Sequence, residues 1–290
     1  MSSSTSPRRP LDLRAVWVLL KKEFLDNVRN RWIIALSAIF IVLTLVVSYL
    51  GDATTGGGVG FQGLSDTVVG MAATAIILVP ILGLMLSYAA IVGEKERGSI
   101  QLLLSMPVTR LETLLGKFLG LGTVMLVAVL SGLGLGGVVI IAFAGIEGWE
   151  NFLVFLLGSV VFALVFVSVG LLLSSLTRRR GTAMGLAVFL WFLFVFIYDA
   201  ILAGILAVTE GELVLPAGTE FPNWYWAGQI ANPVDAFGLF GIRAFGLTGV
   251  FGFPITPPDF VTVELTAFSM LVWAVVPLGF AFWRFRGGDL

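Results

Sequence analysis

Six apolar tracts, at about 32–50, 68–92, 114–144, 152–176, 182–208 and 262–283, decide what this chain can fold into. Each is long enough to cross a bilayer core as a helix, which takes about 20 residues. None shows the ten-residue alternation of an outer-membrane barrel strand, so all six read as helices. A soluble surface needs roughly a quarter of its residues charged. Here 12% are charged against 58% hydrophobic, so the bilayer is the solvent. The third tract is longer than one crossing requires and carries Gly132, Gly134, Gly136 and Gly137, which predicts a tilt, a kink or a loosely wound outer end.

Lys and Arg set the orientation. Seven precede the first tract (Arg8, Arg9, Arg14, Lys21, Lys22, Arg29, Arg31), and four join the second to the third (Lys95, Arg97, Arg110, Lys117). Three join the fourth to the fifth (Arg178, Arg179, Arg180), and two follow the last (Arg284, Arg286). The alternate connections 51–67, 145–151 and 209–261 hold only Arg243. This alternation predicts six crossings with both ends in the cytoplasm. The outward side carries ten acids against that one base, a net −9 that fits cation attraction, a saline habitat or simple exclusion of Lys and Arg.

Residues 1–10 read as a disordered tail, residues 284–290 as a cytoplasmic tail, and the absence of an apolar core before Trp32 argues against a cleavable signal peptide. Over 11–31, Leu13, Trp17, Leu20, Phe24 and Val28 recur every three or four positions, which predicts an amphipathic helix on the inner leaflet, either a simple anchor or a docking element.

The chain has neither Cys nor His, which excludes disulfides, thiolate or imidazole metal sites and Ser-His or Cys-His nucleophiles. A net charge of −1 argues against nucleic-acid binding. The glycines at 132–137 fit a dinucleotide pattern formally, but inside an apolar span with no preceding strand they carry no cofactor. Gly116-xxx-Gly120, Gly132-xxx-Gly136 and Gly181-xxx-Gly185 instead permit close helix approach, within the chain or between two copies. Gly116-Lys117 is followed by Phe118 and lacks the earlier glycine of a phosphate-binding loop, so any ATP that drives this protein binds to another chain. Tyr198-Asp199 resembles half of an intramembrane aspartyl protease site, but the second carboxylate motif is missing. The spans offer essentially no midplane acids or bases for proton or sodium coupling, so energy enters from the cytoplasmic side. The methionines are scattered and read as core filling.

That points to the inward connection Gly93-Glu94-Lys95-Glu96-Arg97-Gly98-Ser99, with Leu102, Leu103 and Pro107 following. Its charged start and apolar end predict a short amphipathic helix able to pass motion from a soluble partner into the bundle, with Glu94 and Glu96 as exposed docking charges. Thr109-x-x-Glu112 then opens the third span as a capping box. On the outer side, Asn232-Pro233 breaks the chain, and 234–247, with Phe237, is too short to cross. It reads as a re-entrant or interfacial outer-rim helix with Asp235 at its start and Arg243 as its lone base, capping an exit path or docking an extracytoplasmic protein.

The 93–107 block, Lys22-Glu23 in the first helix, and Asn232-Pro233-Val234-Asp235-Ala236-Phe237 together resemble the ABC-2 type transporter permeases. Within them the chain is most similar to the permease subunits of the transporter that helps mature the copper site of nitrous-oxide reductase. The resemblance covers nearly the whole chain. It implies an all-α, six-span, type V ABC-exporter fold in the cytoplasmic membrane, with two permeases and two ATPase subunits that hold ATP and Mg, and short outer-leaflet helices between the last two spans. It implies that residues around 94–106 form the coupling helix and that the permease has no catalytic site of its own. A general exporter of drug-like or lipid-like molecules is the alternative. Copper fits poorly as direct cargo, because this chain's metal-capable side chains are methionines and oxygens.

Overall fold

A computed structural model describes residues 11–50, 64–98, 108–210, 221–245, 249–250, 253–254 and 257–287. The described chain is helical apart from a two-residue β-hairpin. In order it forms α1 (Leu13–Val28), α2 (Arg31–Leu50), α3 (Leu64–Ser87), α4 (Val92–Glu96) and α5 (Arg110–Val129). A π turn (Leu130–Gly134) leads into α6 (Leu135–Ala144), followed by α7 (Trp149–Leu176) and α8 (Arg180–Phe192). A second π turn (Leu193–Ile197) leads into α9 (Tyr198–Glu210), then α10 (Asn223–Ala231), α11 (Pro233–Phe245), β1 (Gly249–Val250), β2 (Phe253–Pro254) and α12 (Val263–Gly287). Among the described residues five helical stretches are long and apolar enough to cross a membrane: 70–96, 110–143, 149–176, 180–210 and 263–286. The apolar stretch Ser37–Val47 within α2 is shorter.

α7 is the centre of the bundle, packed against α3, α5, α11 and α12. Its sequence explains this: Phe155, Phe162 and Phe166 are fully buried and line one side, while Gly158 lets the Phe240 ring lie where a Cβ would stand 2.3 Å from it. Phe162 stacks on Phe237 of α11 at 4.3 Å between ring centroids. Phe166 meets the start of the second π turn edge-on through Phe194 at 6.2 Å. Aromatic pairs of this kind add to the contact energy of close packing, on which membrane bundles rely for want of a hydrophobic drive between helices. The sharp link before α7 needs two residues with positive φ, met by Gly145 (99°) and Gly148 (81°).

The glycine-rich second half of the third tract does contain an irregularity, the π turn at Leu130–Gly134. The glycine pairs divide cleanly. Gly116 and Gly120 seat α1, where added Cβ atoms would stand 2.4 Å from Leu19 Cβ and 2.6 Å from Glu23 Cβ. Gly132 and Gly136 seat α2, against Phe40 and Thr44. Gly181 and Gly185 meet no other side chain or distant backbone within 4 Å.

α1 packs through another stripe than its apolar one. Leu13 and Trp17 are 73% and 64% exposed, and the residues buried against the protein are Val16, Leu19 and Glu23. The close backbone approach at Gly116 and Gly120 selects this face, and so does an ionic partner for Glu23, described next.

Candidate functional site

Four helices converge on the five residues of α4. Its first turn is held by α7: Ser174 Oγ accepts from the backbone N–H groups of Ile91 (2.9 Å) and Val92 (3.0 Å). On the next turn, Lys117 Nζ of α5 donates to Glu94 Oε1 at 2.7 Å and to Glu23 Oε1 of α1 at 2.8 Å. Lys22 Nζ lies 3.2 Å from the same Glu23 oxygen, 3.5 Å from Glu94 Oε1 and 3.6 Å from Asp26. At the end of α4, Glu96 Oε1 accepts from the Arg180 backbone N–H at 2.7 Å, which caps the start of α8. The Arg180 guanidinium in turn lies over the Tyr88 ring, 5.7 Å from its centroid. Gly98, at φ 69°, ends the described part of the connection, and Lys95 is half-buried while Arg97 is exposed. Leu102, Leu103 and Pro107 lie outside the described residues.

Burial makes the Lys117 cluster unusual. The Lys117 side chain is 2% exposed, Glu23 8% and Glu94 18%. Uncompensated charge at such depth is costly, and here two ammoniums hold together two carboxylates that would otherwise repel. Burial opposes ionisation of Glu23, but Lys117 and then Lys22 outweigh it and hold its carboxyl below the usual glutamate range. For Lys22, burial is likewise outweighed by Glu23, Glu94 and Asp26, and its ammonium is held above the usual lysine range. The expectation that Glu94 and Glu96 are alike as exposed docking charges is corrected. Glu96 is exposed, whereas Glu94 turns inward because Lys117, seven residues into α5, has no water to turn to.

The rest of this end is tied by capping. Thr109 and Glu112 form the expected capping box, with Thr109 N–H donating to Glu112 Oε2 at 2.6 Å and Glu112 N–H to Thr109 Oγ1 at 3.2 Å. The second Glu112 oxygen accepts from Asp12 N–H at 2.7 Å, so the box also fixes the start of α1. Arg110 donates to the carbonyls of Phe285 (2.6 Å) and Arg286 (2.9 Å), which would otherwise lack partners at the end of α12.

At the opposite end, α10 and α11 form a hairpin broken at Asn232-Pro233. A buried helix break leaves backbone groups that must find partners within the protein. Asn232, 1% exposed, supplies three contacts. Its Oδ1 accepts from Val234 N–H (3.1 Å), capping α11, while its Nδ2 donates to Asp235 Oδ2 (2.7 Å) and to the Phe194 carbonyl in the second π turn (2.9 Å). Pro233 follows at the first helical position, where its missing N–H costs nothing. The final carbonyls of α10 are met by Tyr198 Oη on Gly228 (2.8 Å), Ser269 Oγ on Ile230 (2.6 Å) and Trp273 Nε1 on Ala231 (2.9 Å). Arg243 donates to the carbonyls of Pro257 and Val261, both at 2.7 Å, fixing the turn into α12. Phe237 is fully buried and Phe240 4% exposed, so that face of α11 packs into the core. Tyr198-Asp199 takes part in the same anchoring: Gln229 donates to Asp199 Oδ1 at 3.3 Å.

With both ends in view, the chain was compared with known proteins. Residues 17–290 match the family described as ABC-2 family transporter protein. The chain belongs to the ABC-2 transporter family. It is 33% identical over 284 residues to the "Probable ABC transporter permease protein NosY" of Stutzerimonas stutzeri, covering 94% of this chain and 99% of that protein. To the protein of the same name in Pseudomonas aeruginosa it is 33% identical over 276 residues, covering 93% and 98%. The chain is thus an ABC-2 transporter permease, an integral membrane protein, similar to these two over nearly its full length.

Within this permease, sequence reasoning found the 93–98 connection and the Asn-Pro-Val-Asp break, and the structure brings together residues it did not join. Lys117 and Glu23 read as separate features, a base at a span end and a charge on a surface helix. The signal available was Gly116-Lys117-x-x-Gly120: a lysine between two glycines that face a neighbouring helix has to find its acid on that helix. Ser174 and the Arg180 backbone carry no comparable signal, because they act through main-chain contacts that have no sequence pattern.

Proposed function

We propose that the chain is the membrane-spanning subunit of an ATP-binding-cassette transporter in which a separate cytoplasmic chain binds ATP and Mg. Closure of that chain pushes on the connection that begins at α4. The observation that carries this reading is the convergence of α1, α5, α7 and α8 on α4 through Glu94, Glu96 and Ser174. A push at Arg97 or Gly98 has polar linkages into every one of these helices. The full arrangement is six crossings with α2 as the first, both ends in the cytoplasm, a type V exporter fold and a second copy of the permease beside the first. The distribution of Lys and Arg supports it, with sixteen of the seventeen on one side. The process served is maturation of the copper site of nitrous-oxide reductase, with an accessory protein at the outer end. The likeness to permeases named NosY and the Asn232-to-Phe237 block support that assignment.

The test is biochemical and genetic. Purified alone in lipid nanodiscs, the chain hydrolyses no ATP. Co-expressed with its proposed cytoplasmic ATPase partner, it forms a stable complex whose hydrolysis differs from that of the ATPase alone. Hydrolysis by the lone chain overturns the reading. Deleting its gene in a host that makes nitrous-oxide reductase leaves that enzyme short of copper. A fully loaded reductase with altered drug susceptibility would instead support the general exporter.

A further inference from the structure

We infer that Lys117 is the positioning residue that makes α1 and α5 follow α4. The inference rests on the reading of the 93–98 connection given under Proposed function and assigns the residue that transmits its motion.

Three observations carry it. First, Lys117 bonds to α1 and α4 at once, at 2.8 Å and 2.7 Å, through single oxygens of Glu23 and Glu94, so its ammonium is a shared hinge pin between two elements 94 and 23 residues away in sequence. Second, packing alone already holds α1 on α5, since Leu19 and Leu20 sit on Gly116 and Gly120. A buried ion pair adds little net stability over well-packed apolar residues, so charges placed beside a complete apolar seat serve to fix register between moving parts. Third, the cluster is balanced where it stands. Lys22 reaches both Glu23 and Glu94, and the four groups form a ring of two positive and two negative charges that joins α1 to α4. α4 is therefore tied toward α1 and α5 by Glu94 and toward α8 by Glu96, and loss of Lys117 leaves the first tie only the longer 3.5 Å contact of half-exposed Lys22 while the second stays closed.

The experiment uses the absence of cysteine. In the full-length chain in nanodiscs, spin labels at Lys21→Cys on α1 and Arg97→Cys at the end of α4 give a narrow distance distribution with Lys117 present. The distribution broadens at least twofold in Lys117→Met and narrows again in Lys117→Arg. Should Lys117→Met fail to fold, Lys117→Met/Glu23→Gln removes the uncompensated carboxylate and gives the same broadening. In the complex with the ATPase, labels at the exposed outer-end residues Val208 and Phe260, each changed to Cys, report an ATP-dependent distance change. Lys117→Met abolishes that change while ATP hydrolysis stays within about twofold of the parent, and Lys117→Arg restores it. A merely structural role would lower hydrolysis and outer motion together. The inference is overturned if Lys117→Met keeps the narrow inner distance, or if it keeps the outer change. If the parent complex itself shows no ATP-dependent change, the reading under Proposed function fails, and the inner-distance arm still decides whether Lys117 ties α1 to α4.

Discussion

At the residue scale, two glutamates two positions apart do different work. Removing one partner of a buried ion pair costs about 3–5 kcal/mol, whereas an exposed charge contributes about 0–1 kcal/mol. Glu94→Lys, which faces the 2%-exposed Lys117 with a second cation, is expected to lower the melting temperature of the nanodisc-held chain sharply, and Glu96→Lys, which loses only an exposed cap on α8, to lower it far less. Equal shifts from the two changes would contradict the inward placement of Glu94. Glu23 adds a pH signature. Its folded-state carboxyl titrates below the unfolded value because Lys117 and Lys22 outweigh burial. Its stabilisation is therefore fully present above the ordinary glutamate range, about 4.3, and drains away as pH falls through the lowered value. Melting temperatures followed across that acid window should fall more steeply for the parent chain than for Glu23→Gln, and parallel curves would remove Glu23 from the account.

At the element scale, the glycine seats can be told apart by volume. A Cβ at Gly116 would meet Leu19 Cβ at 2.4 Å, so Gly116→Val should undock α1 and cost about 1–3 kcal/mol. Gly185→Ala, with nothing within 4 Å, should be neutral. Protease sensitivity of α1 separates the two, and a protease-resistant α1 in Gly116→Val would contradict the packing. The same contrast shows what the sequence can reveal. The apolar tracts, the capping box at Thr109 and the break at Asn232 were legible because each has a local cause: length, a spaced pair, a proline. The stripe of α1 that packs on α5 was not, because periodicity marks the apolar stripe that suits the leaflet and says nothing of the stripe holding Glu23 that meets Gly116 and Gly120. The second π turn has no glycine to announce it; its freed Phe194 carbonyl is explained only by Asn232, 38 residues later. The burial of Phe237 and Phe240 in α11 was hidden too, since a 14-residue apolar stretch does not show which of its faces meets the bundle.

At the scale of the whole molecule, the described helices combine a buried aromatic interior with a polar convergence at α4. α7 and α11 interlock through Phe155, Phe162 and Phe237, and α1, α5, α7 and α8 converge on α4, where the proposed push from the ATPase would enter. The most direct test places single cysteines at the exposed Arg97, at the end of α4, and at the exposed Val208, at the other end of the chain's fifth apolar stretch. Each is fitted with a short photo-crosslinker in the complex with the ATPase. The account predicts a covalent adduct with the ATPase from Arg97→Cys, changed in yield by ATP, and none from Val208→Cys. An assembled complex in which position 97 yields no adduct, or position 208 does, would contradict it.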